Sequence, residues 1–213
     1  MIFNEVNRIL VLAPHPDDAE FGLGGTIAKL IAQKKEVFII VYSLCEKSTP
    51  DGFEVGTIEK EMYASLASLG VPRENLIVYD FAVRDFPAHR QQILEEIIVQ
   101  RNKIKPDLVF IPSSSDIHQD HKTIYEEGKR AFKFNNLLGY EMPWNNFGFN
   151  SFVYNVLEES HIQSKIDAIN LYKSQGFRLY SNPEFIRSLA ILRGGQIMKK
   201  YAESFELIRM ISA

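Results

Sequence analysis

The sequence predicts an α/β protein: one domain over residues 1–213, built on a mostly parallel, Rossmann-like sheet with helices on both faces. Three observations carry this. Ile9–Leu12, Val37–Tyr42 and Leu108–Ile111 are short apolar runs without polar alternation, which suits strands buried on both faces. Between such runs lie longer segments whose apolar residues recur at helical spacing, and strand–helix alternation of this kind builds parallel sheets. Finally, 213 residues that are 46% hydrophobic can bury a core without disulfides or a partner.

The elements follow in order. Ile9–Leu12 is a strand that stops at Pro14 and Pro16, which permit neither more sheet nor the start of a helix. Glu20 to Lys34 is a helix on the spacing of Phe21, Leu23, Ile27, Leu30 and Ile31. Gly22, Gly24 and Gly25 in its first turns allow close packing or close approach to a ligand. The strand Val37–Tyr42 leads to a loop, Glu46 to Gly52, and a helix from Val55 to Leu69 ends at Gly70 and Pro72. Leu76–Tyr79 is a strand, Phe86-Pro87 opens a helix to Gln100, and Leu108–Ile111 is a strand stopped by Pro112. A helix spans about Lys122 to Lys133, and Asn145 to Asn150 is a loop before the strand Phe152–Leu157. Ser160 with Gln163 reads as a capping box for a helix to about Lys173. Asn182-Pro183 starts another helix toward Tyr201, before a strand from Phe205 to Met210.

Composition excludes several classes. The 27 acidic and 24 basic side chains are interspersed, so the net charge of −3 leaves no basic footprint for nucleic acid. Cys45 is the only cysteine, at the end of an apolar run, and reads as a small buried hydrophobe in a reducing compartment. No apolar segment reaches the ~20 residues of a membrane span, and the first residues lack a signal-peptide pattern, so a cytoplasmic protein is expected. The oligomeric state is left open, a homo-oligomer included.

The chemistry gathers at two strand ends. His15, Asp17, Asp18 and Glu20 follow the first strand, and Asp116, His118, Asp120 and His121 follow the strand that ends at Ile111. If those strands are neighbours, the two loops face each other where parallel sheets build their sites. Carboxylates crowded into one crevice repel unless a cation sits among them, and packing needs none of these residues. Two imidazoles and one carboxylate fill three zinc positions and leave the fourth for water. His15 and Asp18 can both turn inward across one tight loop, with a third ligand from the second loop.

Pro14-His15-Pro16-Asp17-Asp18, then Gly24-Gly25-Thr26, then His118-Gln119-Asp120-His121 resembles the LmbE/PIG-L family of zinc-dependent de-N-acetylases over about the first two thirds of the chain. The resemblance implies zinc ligands His15, Asp18 and His121, one ion per chain, with iron(II) as the other ion to consider. It implies Asp17 as general base, His118 as general acid and oxyanion partner, and Asp120 orienting and charging His118. The expected reaction is hydrolysis of the acetamide of an N-acetylglucosamine-type sugar or conjugate, a small-molecule substrate, giving acetate and a free amine. Deacylation of a non-sugar amide is the nearest alternative.

The sequence departs from the family pattern in two places. An acid usually follows the second aspartate directly, whereas here Ala19 intervenes before Glu20. Some members also carry a sugar-contacting arginine in the second helix, where this chain has Ile58. Arg84, Asp85 and Trp144 are therefore the candidates for substrate contact. Two rival classes remain: a non-haem iron oxygenase, which shares the two-histidine, one-carboxylate set, and a nucleotide-binding module, whose G-x-G-x-x-G spacing the glycines miss.

Overall fold

The computed structural model describes residues 2–211. A short helix α1 (Ile2–Glu5) precedes β1 (Arg8–Ala13), α2 (Asp18–Ala32) and β2 (Glu36–Val41). Next come α3 (Thr57–Ser68), β3 (Leu76–Val78), α4 (Arg90–Ile104), β4 (Leu108–Pro112), α5 (Gln119–Ala131) and β5 (Asn136–Tyr140). The chain continues through β6 (Val153–Leu157), α6 (Glu159–Ile169), α7 (Pro183–Gly195) and β7 (Tyr201–Arg209). The seven strands form one sheet in the order β3-β2-β1-β4-β5-β7-β6, with β3 to β5 parallel and β7 antiparallel to both its neighbours.

Alternation along the strands divides the core. Ile9, Val11 and Ala13 of β1 pack with apolar residues of α2, α3, α6 and α7 on one face, while Leu10 and Leu12 pack with those of α4 and α5 on the other. Helices on both faces are thus as the sequence predicts. β1 pairs with both β2 and β4, so the strand order reverses there, and the carboxyl ends of β1 and β4 flank the crevice that such a reversal opens.

Several expectations shift. Asn136–Tyr140 is a strand that the sequence does not predict, because Asn-Leu-Leu-Gly-Tyr is too short to show a period. α5 begins at Gln119, which places Asp120 and His121 in its first turn rather than in the preceding loop. Glu158 and His161, not Ser160 and Gln163, form the capping box of α6, and α7 ends at Gly195 because Tyr201 already belongs to β7. Among the described residues no helix is long and apolar enough to cross a membrane.

α2 is kinked at Leu23 (φ −154°, ψ 27°). Gly22 and Gly25 lie against the sheet so closely that a Cβ would come within 2.5 Å of Tyr140 Cδ2 and 2.7 Å of Leu157 Cδ1, so these glycines serve packing. The kink frees backbone groups, and two buried side chains take them up. Lys165 Nζ donates to Phe21 O at 2.6 Å, and Glu203 accepts from the N–H groups of Gly25 and Thr26 at 3.1 and 2.7 Å. A 2.7 Å ion pair joins Lys165 to Glu203.

Candidate active site

The two loaded strand ends meet. His15 Nδ1, His121 Nε2 and Asp18 Oδ2 lie 3.2, 3.3 and 3.4 Å apart, a nearly equilateral triangle of lone pairs. A tetrahedral ion with bonds near 2.0–2.1 Å needs ligand edges of about 3.3 Å, so these three atoms already stand at metal-binding spacing. Nitrogen atoms of His15, His118 and His121 also fall within 4.8 Å of one another, a looser set than the triangle that includes Asp18.

Each histidine of the triangle is backed by a carboxylate on its far nitrogen. Asp120 Oδ2 is 2.9 Å from His15 Nε2, and Asp116 Oδ2 is 2.8 Å from His121 Nδ1. Such pairs fix which nitrogen faces an ion and raise its basicity. They also place a surplus of negative charge here. Burial pushes the His121 imidazole down, but Asp18 and Asp116 outweigh it and hold it up at about 10. Burial opposes ionisation of Asp18, yet His121 and His15 keep its carboxyl well below the usual range. The carboxylates thus favour positive charge at this point, and the donor set fits a divalent ion.

Asp17 and His118 stand beside the triangle. Asp17 caps α2 in the left-handed region (φ 81°), at a cost of order 1 kcal/mol that its N–H helps to offset by donating to Tyr172 Oη at 3.0 Å. Tyr172 Oη in turn donates to Glu20 Oε1 at 2.9 Å, which also accepts from Ser65 Oγ at 2.7 Å. Burial, then the charge of Asp18, pushes the Asp17 carboxyl well above its ordinary value, and Arg178 and His15 only partly counter this. His118 caps α5: its Nδ1 accepts the Asp120 N–H at 3.2 Å, so the neutral ring carries its proton on Nε2. Burial, then His121 and His15, lowers its pKa to about 4.

The expected role of Asp120 is modified: its N–H, not its carboxylate, meets His118, while its charge favours the His118 cation against burial. The carboxylate oxygens of Asp120 are committed to His15 Nε2 and to the N–H groups of Arg84 (2.6 Å) and Phe86 (3.4 Å), because the first turn of α5 aims the side chain at the β1 loop. Asp85 is corrected as well: its exposed carboxylate turns away to His89 Nε2 at 3.3 Å. Arg84 and Trp144 do line the crevice, which has a volume of ≈ 400 Å³, and Ile58 forms part of its wall. That volume suits a sugar-sized ligand. Trp144 stacks on Tyr180 with centroids 3.7 Å apart and meets Phe21 edge-on, so it both packs and lines.

Sequence reasoning missed Gln175, Arg178 and Tyr180, which close the crevice from the turns after α6, and Tyr172 beneath Asp17. No period marks that segment, and the tyrosines alone gave no signal.

The fold and the site together define a doubly wound α/β protein with a crevice of candidate metal ligands at the reversal of its strand order. Residues 10–132 match the PIG-L family, GlcNAc-PI de-N-acetylase, and the chain belongs to that family. It is 32% identical over 181 residues to YaiS of Escherichia coli, an uncharacterised deacetylase, covering 80% of this chain and 93% of that one. It is 31% identical over 141 residues to the diacetylchitobiose deacetylase of Thermococcus kodakarensis, covering 62% of this chain and 51% of that one. The solved N,N'-diacetylchitobiose deacetylase of Pyrococcus horikoshii shares the fold, with a TM-score of 0.81 at 23% identity over 97% of this chain and 85% of that one.

Proposed function

We propose that the protein is a zinc-dependent N-deacetylase acting on an N-acetylated amino sugar or its conjugate. The observation that carries this is the triangle of His15 Nδ1, Asp18 Oδ2 and His121 Nε2 with Asp17 beside it. Those three residues would hold the ion. When bound, zinc acidifies a coordinated water to about pKa 7 and polarises a carbonyl. Asp17, beside the triangle, accepts the proton of the attacking water and hands it to the leaving nitrogen. His118 donates from Nε2 to the oxyanion as a neutral imidazole, since Asp120 N–H occupies its Nδ1. Asp116 and Asp120 position His121 and His15. Membership of the family and the names of the relatives support the amino-sugar acetamide as substrate class.

The test is metal analysis of the purified protein together with acetate release from N-acetylglucosamine and diacetylchitobiose. One zinc per chain, loss of turnover on chelation and recovery on adding zinc are expected. A metal-free protein with full turnover would sink the reading.

A further inference from the structure

Two arginines stand in the crevice without an ion-pair partner, though the field of Arg178 reaches Asp17. Arg84 and Arg178 both line it, and among the described residues neither guanidinium has a carboxylate within ion-pair reach. On an open surface water would solvate such groups; in a crevice walled by Trp144 and Tyr180 they are charges kept ready for a ligand.

Both are held deliberately. Arg84 sits in the left-handed region (φ 69°), a conformation that costs a non-glycine residue of order 1 kcal/mol and persists only where neighbours impose it. The neighbours are those of the site: its N–H donates to Asp120 Oδ2 at 2.6 Å, the same oxygen that meets His15 Nε2, and its carbonyl accepts from Gln119 Nε2. Among the described residues the hydrogen bond of the guanidinium goes to Ser48 Oγ, at 3.3 Å. Arg178 lies on a stretch that alternates, with Phe177 and Leu179 exposed and Arg178 and Tyr180 turned into the crevice, and its guanidinium donates to Tyr180 Oη. A separate feature points to a ligand on this wall. Gln175, buried and lining the crevice, has an Oε1 atom with no partner.

We propose that Arg84 and Arg178 form an anion subsite, so that the substrate is an N-acetylated amino sugar bearing a phosphate or carboxylate, with Gln175 Oε1 accepting from a sugar hydroxyl. This rests on the deacetylase reading for the sugar, not for the anion. Guanidinium forks match phosphate and carboxylate oxygens in pairs of parallel hydrogen bonds, and the bonds strengthen where water is excluded.

The experiment compares three substrates with the zinc-loaded protein: methyl N-acetyl-β-glucosaminide, N-acetylglucosamine 1-phosphate, and an N-acetylglucosaminide of a hydroxy acid. At least one anionic substrate is expected to exceed the neutral one in kcat/KM by about tenfold or more. The phosphate and carboxylate arms tell which anion the site takes. Arg178→Gln and Arg84→Gln should each reduce that preference about tenfold, with Arg178→Lys keeping part of it. A neutral substrate turned over as well as both anionic ones, or a preference unmoved in both glutamine variants, overturns the subsite. The same comparison is made by calorimetry with glucosamine 1-phosphate and glucosamine. Should none of the three substrates release acetate, the deacetylase reading fails. The anion subsite then stands on tighter binding of the phosphate that Arg178→Gln abolishes, and falls if the two ligands bind equally.

Discussion

Two clusters of buried charge sit on the first turns of α2, and they are built in opposite ways. At the kink, Lys165 and Glu203 meet each other and the free backbone groups of Phe21, Gly25 and Thr26, so every charged atom has a partner of complementary sign. At the crevice floor, His15, Asp18 and His121 turn lone pairs toward one point, and Asp17 sits beside Asp18 with its charge disfavoured. Complete pairing holds a helix in place. On the proposed reading converging lone pairs serve to hold an ion, and the difference would separate structural from functional charge in a protein where both are buried.

Substitutions can break that comparison. The largest expected effect is at the floor: Asp17→Asn should cut acetate release about a thousandfold while the melting temperature does not fall, since a disfavoured carboxylate has been removed. A variant that melts well below the parent would place Asp17 with the structural group instead. At the kink the signature reverses. Lys165→Met leaves Glu203 buried and unpaired and should cost about 3–5 kcal/mol in urea unfolding, part of which Lys165→Met with Glu203→Gln regains. If the single variant unfolds like the parent, the splint is not what holds the kink.

Tyr172→Phe tests the link between the clusters. It removes the hydroxyl that joins Asp17 N–H to Glu20, and should lower kcat about tenfold at a stability cost of about 1–3 kcal/mol. Unchanged kcat would free Asp17 from that support. The smallest effect is on the surface, where hydrogen bonds from Tyr201, Arg187 and Lys200 hold the exposed Glu159 carboxyl down at about 2 from its ordinary 4.5. A depressed carboxylate stabilises the fold above its unfolded pKa and loses that contribution as pH falls from about 4.5 through about 2. Melting curves over that window should show a slight loss that Glu159→Gln lacks.

β1 and β4 were legible because each is a solid apolar run, and their carboxyl ends because histidines and acids with metal or proton chemistry crowd there. Which strands are neighbours could only be supposed, since pairing lies between residues some hundred positions apart. The partner of Asp120 was misread for a related reason: once α5 starts at Gln119, helical geometry turns that side chain toward His15. Gln175, Arg178 and Tyr180 were invisible because they come from irregular turns whose placement depends on α6 and α3 packing beneath them. Asp85 looked equivalent to Arg84 in sequence, yet the two neighbours point to opposite sides of the loop, one into the crevice and one to His89.

The Lys165–Glu203 splint also sets an order of events. Glu203 reaches Thr26 across 177 positions, and its strand, β7, must slot between β5 and β6 before the inner turn of α2 has its partners. Closing so long a loop comes late in folding. A growing chain therefore displays His15 to Asp18 and His118 to His121 well before it can fix their geometry. Refolding should recover helix content first and tight zinc retention only with the slowest phase.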